Sequence, residues 1–143
     1  MPRIRRATPP GALAYDVYSR DCPARLVFDR LADKWSLLVL GRLRQGTLRF
    51  NGLRREVDGV SQKVLSLTLK KLERDGLVQR EVSQAAPVTV EYSLTALGST
   101  LAGAIEVLAQ WTEAHMGEID AAQRRYDARH KAEATPASGR LQL

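Results

Sequence analysis

Three observations predict an α+β, mainly α chain. A breaker-free helical run leads from Ser61 to a stop at Gly76, two short β-prone runs follow it directly, and apolar residues recur at helical spacing on both sides of that unit. A length of 143 residues with 44% hydrophobic content is enough for one core and short for two.

Taken in order, residues 1–12 hold three prolines, three arginines and a glycine without periodicity, which predicts a disordered basic arm. Asp21-Cys22-Pro23 reads as a helix start, with Leu26, Val27, Arg30 and Leu31 at helical spacing over about 23–32. Lys34 to Leu43 is apolar almost all round and is expected to be the buried centre of the domain, ended by Gly46. Thr47 to Phe50 fits a small strand, and Asn51 is placed to cap a brief helix through Val57 that turns Leu53 and Val57 inward. Asp58-Gly59 is a turn. Ser61 sits where an N-cap belongs, and the helix it starts runs to Asp75. Leu77–Val82 and Val88–Leu94 then form a hairpin through a loop containing Pro87, with Val88, Val90, Tyr92 and Leu94 on one face. Thr95 caps a last helix over about 96–130, and residues 131–143 read as a flexible tail.

Two helices joined by a tight turn and followed by a β-hairpin have the order of a winged helix-turn-helix. The folded part is expected at 13–130, with its nucleic-acid-binding core at about 34–95 and N- and C-terminal dimerisation helices outside it. In the last helix Leu101, Ile105, Leu108, Trp111, His115 and Ile119 recur at steps of three and four, further than one small domain needs. Packing on the chain's own core accounts for Leu101 to Leu108. From Trp111 to Tyr126 a symmetric second subunit is the better account.

The formal charge is +6, and residues 22–95 carry thirteen cations against eight anions, so the middle of the chain is itself suited to a polyanion. Wound at about 100° per residue, Ser61–Asp75 puts Leu65, Leu69 and Leu72 on one side and Lys63, Leu67, Lys70 and Arg74 on the other. A cationic stripe can be no more than a solvated face, and Leu67 no more than a tolerated surface leucine. As a recognition surface, Ser61, Gln62, Lys63, Ser66 and Leu67 would approach base edges in the major groove, Leu67 against a thymine methyl. Lys70, Lys71 and Arg74 would hold phosphates, while Arg49, Asn51, Arg54 and Arg55 grip the flanking backbone. The rival is a winged-helix module that binds another protein.

An enzyme is not expected. The two histidines, His115 and His130, lie on one helical stretch without a nucleophile or metal-ligand spacing, there is no glycine-rich phosphate loop, and no metal or cofactor is implied. A single cysteine fits a reducing, cytoplasmic setting, and neither a signal core nor a membrane-length apolar run is seen.

From Asp21-Cys22-Pro23 through Lys34-Trp35, Arg49-Phe50-Asn51-Gly52-Leu53, Val60-Ser61-Gln62-Lys63-Val64-Leu65, Leu69-Lys70-Lys71-Leu72-Glu73-Arg74-Asp75-Gly76-Leu77-Val78 and Val90 to Gly98, the chain resembles HxlR-type bacterial transcriptional regulators over about ninety residues. The resemblance implies a homodimer that sets paired winged helices on a pseudo-palindromic operator in double-stranded DNA and regulates, chiefly represses, a neighbouring gene. It also implies that Cys22 senses oxidants or a small electrophile or aromatic effector. Cys22 is read at a helix N-terminus, where Arg20 and Arg25 favour a thiolate and Asp21 opposes it, and an inert buried thiol is the alternative. One departure lies in the wing, where Ser83 to Thr89 has none of the cations such hairpins carry for the minor groove. Arg80, Gln84 and Thr89 remain as wing candidates.

Overall fold

The computed structural model describes residues 15–134. In order come α1 (Arg25–Leu31), α2 (Lys34–Leu43), β1 (Leu48–Arg49), α3 (Phe50–Glu56), α4 (Gln62–Arg74), β2 (Val78–Val82), β3 (Val90–Leu94) and α5 (Ala96–Ala134). Helices dominate, and the three strands form one antiparallel sheet in the order β1-β3-β2. The architecture is the α+β, mainly α winged helix-turn-helix that the element order predicts. Residues to Ala102 form one compact unit, and those from Gly103 a second, so the boundary falls within α5.

The core of the first unit is built from Val39, Leu40 and Leu43 of α2, Leu53 of α3, Val57 and Val60 of the turn, and Leu65, Leu69 and Leu72 of α4. Leu77 and Val78 close it at the entry to β2. Each fully buried leucine among them contributes about 1.5–3 kcal/mol. Burial is confined to one side of α4, where Thr68 joins the leucines, so the opposite side is left to solvent.

Both ends of α4 are held by local chemistry. The Ser61 hydroxyl accepts from the Val64 N–H at 3.1 Å, satisfying one of the first-turn donors. At the other end Gly76 takes φ +75°, and the Gly76 and Leu77 N–H groups donate to the Glu73 and Leu72 carbonyls, each at 3.0 Å. That pair of bonds is a Schellman stop, which a left-handed glycine makes possible. The first residue of the next junction ties the two helices together: the Thr95 hydroxyl donates to the Gly76 carbonyl at 2.6 Å and accepts from the Gly98 N–H at 3.0 Å, while the Thr95 N–H reaches the Leu77 carbonyl at 3.1 Å. A Cβ at Gly98 would fall inside that same Leu77 carbonyl, so the position has no room for a side chain.

The structure corrects several expectations. The first helix begins at Arg25 rather than Pro23, because the Arg25, Leu26 and Val27 N–H groups bond the carbonyls three residues back and wind a tighter lead-in turn. In α2 Leu38 is half exposed, so this helix is buried on one face and not all round. Asn51 does not cap α3. Pairing of β1 with β3 holds Arg49 extended, Arg49 becomes the N-cap without a side-chain bond, and Asn51 falls inside the first turn. Val88 lies outside β3 and is 72% exposed in the hairpin loop. Helix α5 continues to Ala134, four residues into the expected tail, whereas the arm at 1–12 and residues 135–143 lie outside the described residues.

Candidate nucleic-acid interface

On the solvent side of α4, Gln62, Lys63, Leu67, Lys70, Lys71 and Arg74 are all exposed, and Ser66 is half-buried at the flank. Leu67 keeps 48% of its surface in water although it stands at the middle of a well-packed helix, as the helical winding predicts. Ser61 begins this face, but its hydroxyl is engaged as the cap.

Electrostatics separate these cations from the others. Among the described residues Arg30 pairs with Asp75 at 2.7 Å, Arg42 with Glu56 at 3.4 Å, Arg49 with Glu91 at 4.0 Å and Arg124 with Asp120 at 2.7 Å. Lys63, Lys70, Lys71 and Arg74 enter no salt bridge among the described residues, and neither do Arg54, Arg55 or Arg80. The positive charge on α4 is thus exposed and uncommitted, available to an external anion.

The sheet decides which wing residues share that surface. In the β2–β3 register Val78 faces Leu94, Arg80 faces Tyr92 and Val82 faces Val90, while Gln79 faces Ser93 and Glu81 faces Glu91. Side chains alternate across a sheet, so these are two separate faces. Arg80 and Tyr92, on the first, line a cleft of about 320 Å³ together with Ser66, Leu69, Lys70 and Glu73 of α4. Arg80 is thereby brought beside the recognition-helix candidates. Arg49 is not: it is the Cα partner of Glu91 and pairs with that carboxylate on the other face, next to Glu81. The Arg49 side chain nevertheless stays largely exposed, so a phosphate contact from it is compatible with this loose pairing. Asn51, Arg54 and Arg55 are exposed on α3, which keeps them available beside the turn.

At the wing tip the Ser83 N–H donates to the Thr89 carbonyl at 2.8 Å, and the Ala85 N–H to the Ser83 hydroxyl at 3.3 Å. Thr89 is half-buried and Gln84 exposed. Tyr92 was not anticipated at the site. Its signal is present in the sequence only as the strand partner of Arg80, which needs the register to be known.

Elsewhere, Cys22 stands three residues ahead of α1 and is partly buried. The Arg25 guanidinium, expected near it, instead donates to the Val17 and Tyr18 carbonyls at 3.1 and 3.0 Å. In α5, Leu108 and Trp111 are half exposed, Leu101, His115 and Ile119 partly buried, and Ile105 only 8% exposed. Ile105 is therefore covered within a single chain and is withdrawn from the dimer set. Among the described residues no helix is long and apolar enough to cross a membrane, and no cluster of three or more His, Cys, Asp or Glu is placed to hold a metal ion.

The HxlR-like helix-turn-helix family model matches residues 30–120, taking in every element from α2 to the first part of α5. The chain belongs to this family. It is 39% identical over 104 residues to the uncharacterized HTH-type transcriptional regulator YtfH of Escherichia coli, a match covering 73% of this chain and 82% of the relative. Its fold is similar to that of the transcriptional regulator ytfH from Salmonella typhimurium, with a TM-score of 0.71 and 37% identity over 77% of this chain and 98% of that one. It is also similar to the redox regulator HypR in its reduced form, with a TM-score of 0.64 and 34% identity over 69% and 98% of the two chains. This HxlR-type chain is a helix-turn-helix transcriptional regulator, and its relatives are regulators rather than enzymes.

Proposed function

We propose that the chain binds double-stranded DNA sequence-specifically, as a homodimer on a pseudo-palindromic operator, with α4 as the recognition helix and repression of a neighbouring gene as the outcome. The observation that carries this reading is the exposed and unpaired charge of α4 around Leu67, on a helix capped firmly at both ends. In the major groove, Gln62, Lys63, Ser66 and Leu67 read base edges from the N-terminal half. Lys70, Lys71 and Arg74 hold phosphates, joined by Arg80 across the cleft and by Asn51, Arg54 and Arg55 from α3. With Ser83–Thr89 uncharged, Gln84 and Thr89 add backbone contacts at most, and specificity rests on α4. The dimer is formed by α1, where Leu26, Val27 and Phe28 are exposed, and by α5 through Leu108, Trp111, His115 and Ile119 with Leu101 beside them.

Anisotropy titrations on its own upstream region test the reading, with tight binding that weakens steeply as salt is added as the expected result. Footprinting should show two half-sites about one helical turn apart. Affinity unchanged by removing Lys63 and Lys70 together would favour a protein-binding winged helix instead.

Cys22 is the proposed switch: oxidation, or addition of an electrophile to its sulfur, alters the turn that leads into α1 and through it the dimer. Its partial burial beside that turn and the likeness to a redox regulator support this. If Cys22→Ser loses DNA under peroxide or quinone as readily as the parent, the switch lies elsewhere.

A further inference from the structure

Helix α5 runs 14 residues past the family match, from residue 121 to Ala134, and its two parts differ in charge. Residues 103–120 carry Glu106, Glu113, Glu118 and Asp120 and no lysine or arginine, a formal charge of −4. Residues 121–134 carry Arg124, Arg125, Arg129 and Lys131 against Asp127 and Glu133, a formal charge of +2. Along the same stretch Leu108, Thr112, His115, Ile119, Ala122 and Tyr126 alternate steps of four and three, the spacing of a coiled-coil seam, and Leu108 and Tyr126 are about half exposed.

The geometry points to antiparallel pairing of this helix with α5 of a second copy, centred between residues 120 and 121, with Glu118 of each chain facing Arg125 of the other. The inference rests on the homodimer reading and adds its direction and register. A parallel pair would lay −4 against −4, whereas the antiparallel pair lays each acidic half on a basic one. With the centre at that point, Ile119 comes level with Ala122 of the second copy and His115 with Tyr126, so the seam is filled on both sides. Glu118 and Arg125 are seven residues apart and occupy the same flank of the seam, the position that faces its own counterpart when two identical helices run in opposite directions. Both side chains are exposed. Their levels differ by two residues, about 3 Å at 1.5 Å per residue, which long side chains span. The symmetry makes the contact twice. Arg124 is committed to Asp120 within its own helix at 2.7 Å, on the side away from the seam, which leaves Glu118 as the acid facing it.

Charge exchange in the full chain tests the pairing. Glu118→Arg alone sets two arginines against each other at both symmetry-related contacts, and Arg125→Glu alone sets two glutamates against each other there. Each variant should therefore raise its own dimer dissociation constant about three- to tenfold, with unchanged circular dichroism. Mixed together, the two variants restore opposite charges at both contacts, because positions 118 and 125 are both cationic in the Glu118→Arg chain and both anionic in the Arg125→Glu chain, and donor- and acceptor-labelled chains should form the mixed dimer well above the statistical half by energy transfer and native mass spectrometry. Low salt should strengthen that preference. Dimers of unchanged stability that mix only statistically would overturn the antiparallel register and leave the homodimer intact. A parent chain monomeric at micromolar concentration would overturn both.

Discussion

Ser61 offers a way to separate the stability of α4 from its contact with DNA. Its hydroxyl accepts one bond, from the Val64 N–H at 3.1 Å, and its extended backbone places that oxygen over the first turn. Ser61→Ala leaves the donor to water and should cost about 1 kcal/mol of folding stability, a few degrees of melting temperature for a chain of this length. Ser61→Asp keeps an acceptor at the cap and adds a negative charge at the positive end of the helix, so it should unfold with the parent or slightly above it. On DNA the order reverses. The new carboxylate stands next to Gln62 and Lys63, where the proposal puts phosphates and base edges, and should weaken operator binding about tenfold or more, because like-charge juxtaposition costs upwards of the 1.4 kcal/mol that a factor of ten represents. The two assays are urea unfolding followed by circular dichroism and anisotropy titration at fixed salt. Ser61→Asp that is fully stable and binds the operator as tightly as the parent would refute the placement of the α4 N-terminus in the groove; Ser61→Ala that unfolds with the parent would refute the account of the cap.

The remaining predictions concern charge and packing. Lys70→Ala should reduce the slope of log affinity against log salt by about 0.9 for each phosphate it no longer neutralises, hence about 1.8 for a dimer, whereas Arg49→Ala, whose guanidinium already faces Glu91, should leave the slope unchanged. Equal slopes for both variants would show that the sheet faces are wrongly assigned to the DNA. Gly98→Ala should destabilise by about 3 kcal/mol or more, seen as a lowered urea midpoint, since its methyl group would occupy the Leu77 carbonyl and force the α4–α5 junction apart. Arg30→Ala should cost under about 1 kcal/mol in the same assay: the Arg30–Asp75 pair is short at 2.7 Å, but its side chains remain 28% and 30% exposed and water screens them.

What could be read from sequence alone was local. Ser61, the apolar spacing of Leu65, Leu69 and Leu72, and Gly76 each act within a few residues, so the cap, the buried face and the stop of α4 were all legible, and with them the exposed stripe around Leu67. The failures share a cause of the opposite kind. Asn51 has the chemistry of a cap, yet Arg49 takes that place because β1 is pulled extended by a strand some forty residues further on. Arg49 itself looked like a free cation until the register set it opposite Glu91, and Arg30 meets Asp75 across 45 residues. Leu38 and Ile105 likewise follow the rules of helix spacing and differ only in what the fold brings near them, which spacing does not encode.

The same register bears on how the wing can work. Glu81 and Glu91 are direct cross-strand partners, an arrangement unfavourable for a sheet unless something offsets it, and here Arg49 approaches Glu91 at 4.0 Å while Gln79 donates to Glu81 at 2.8 Å. That face has more negative than positive charge and would be repelled by a phosphate backbone. The opposite face has Arg80 beside Lys70 and no acid of its own strands, with Glu73 of α4 at the edge of the cleft. A duplex can therefore approach the hairpin favourably from the α4 side alone. Because the tip beyond it is uncharged, the proposed DNA-binding mode leaves the hairpin to fix one phosphate next to α4 and so to set the angle at which that helix would enter the groove. In that mode base discrimination would fall to the N-terminal half of α4.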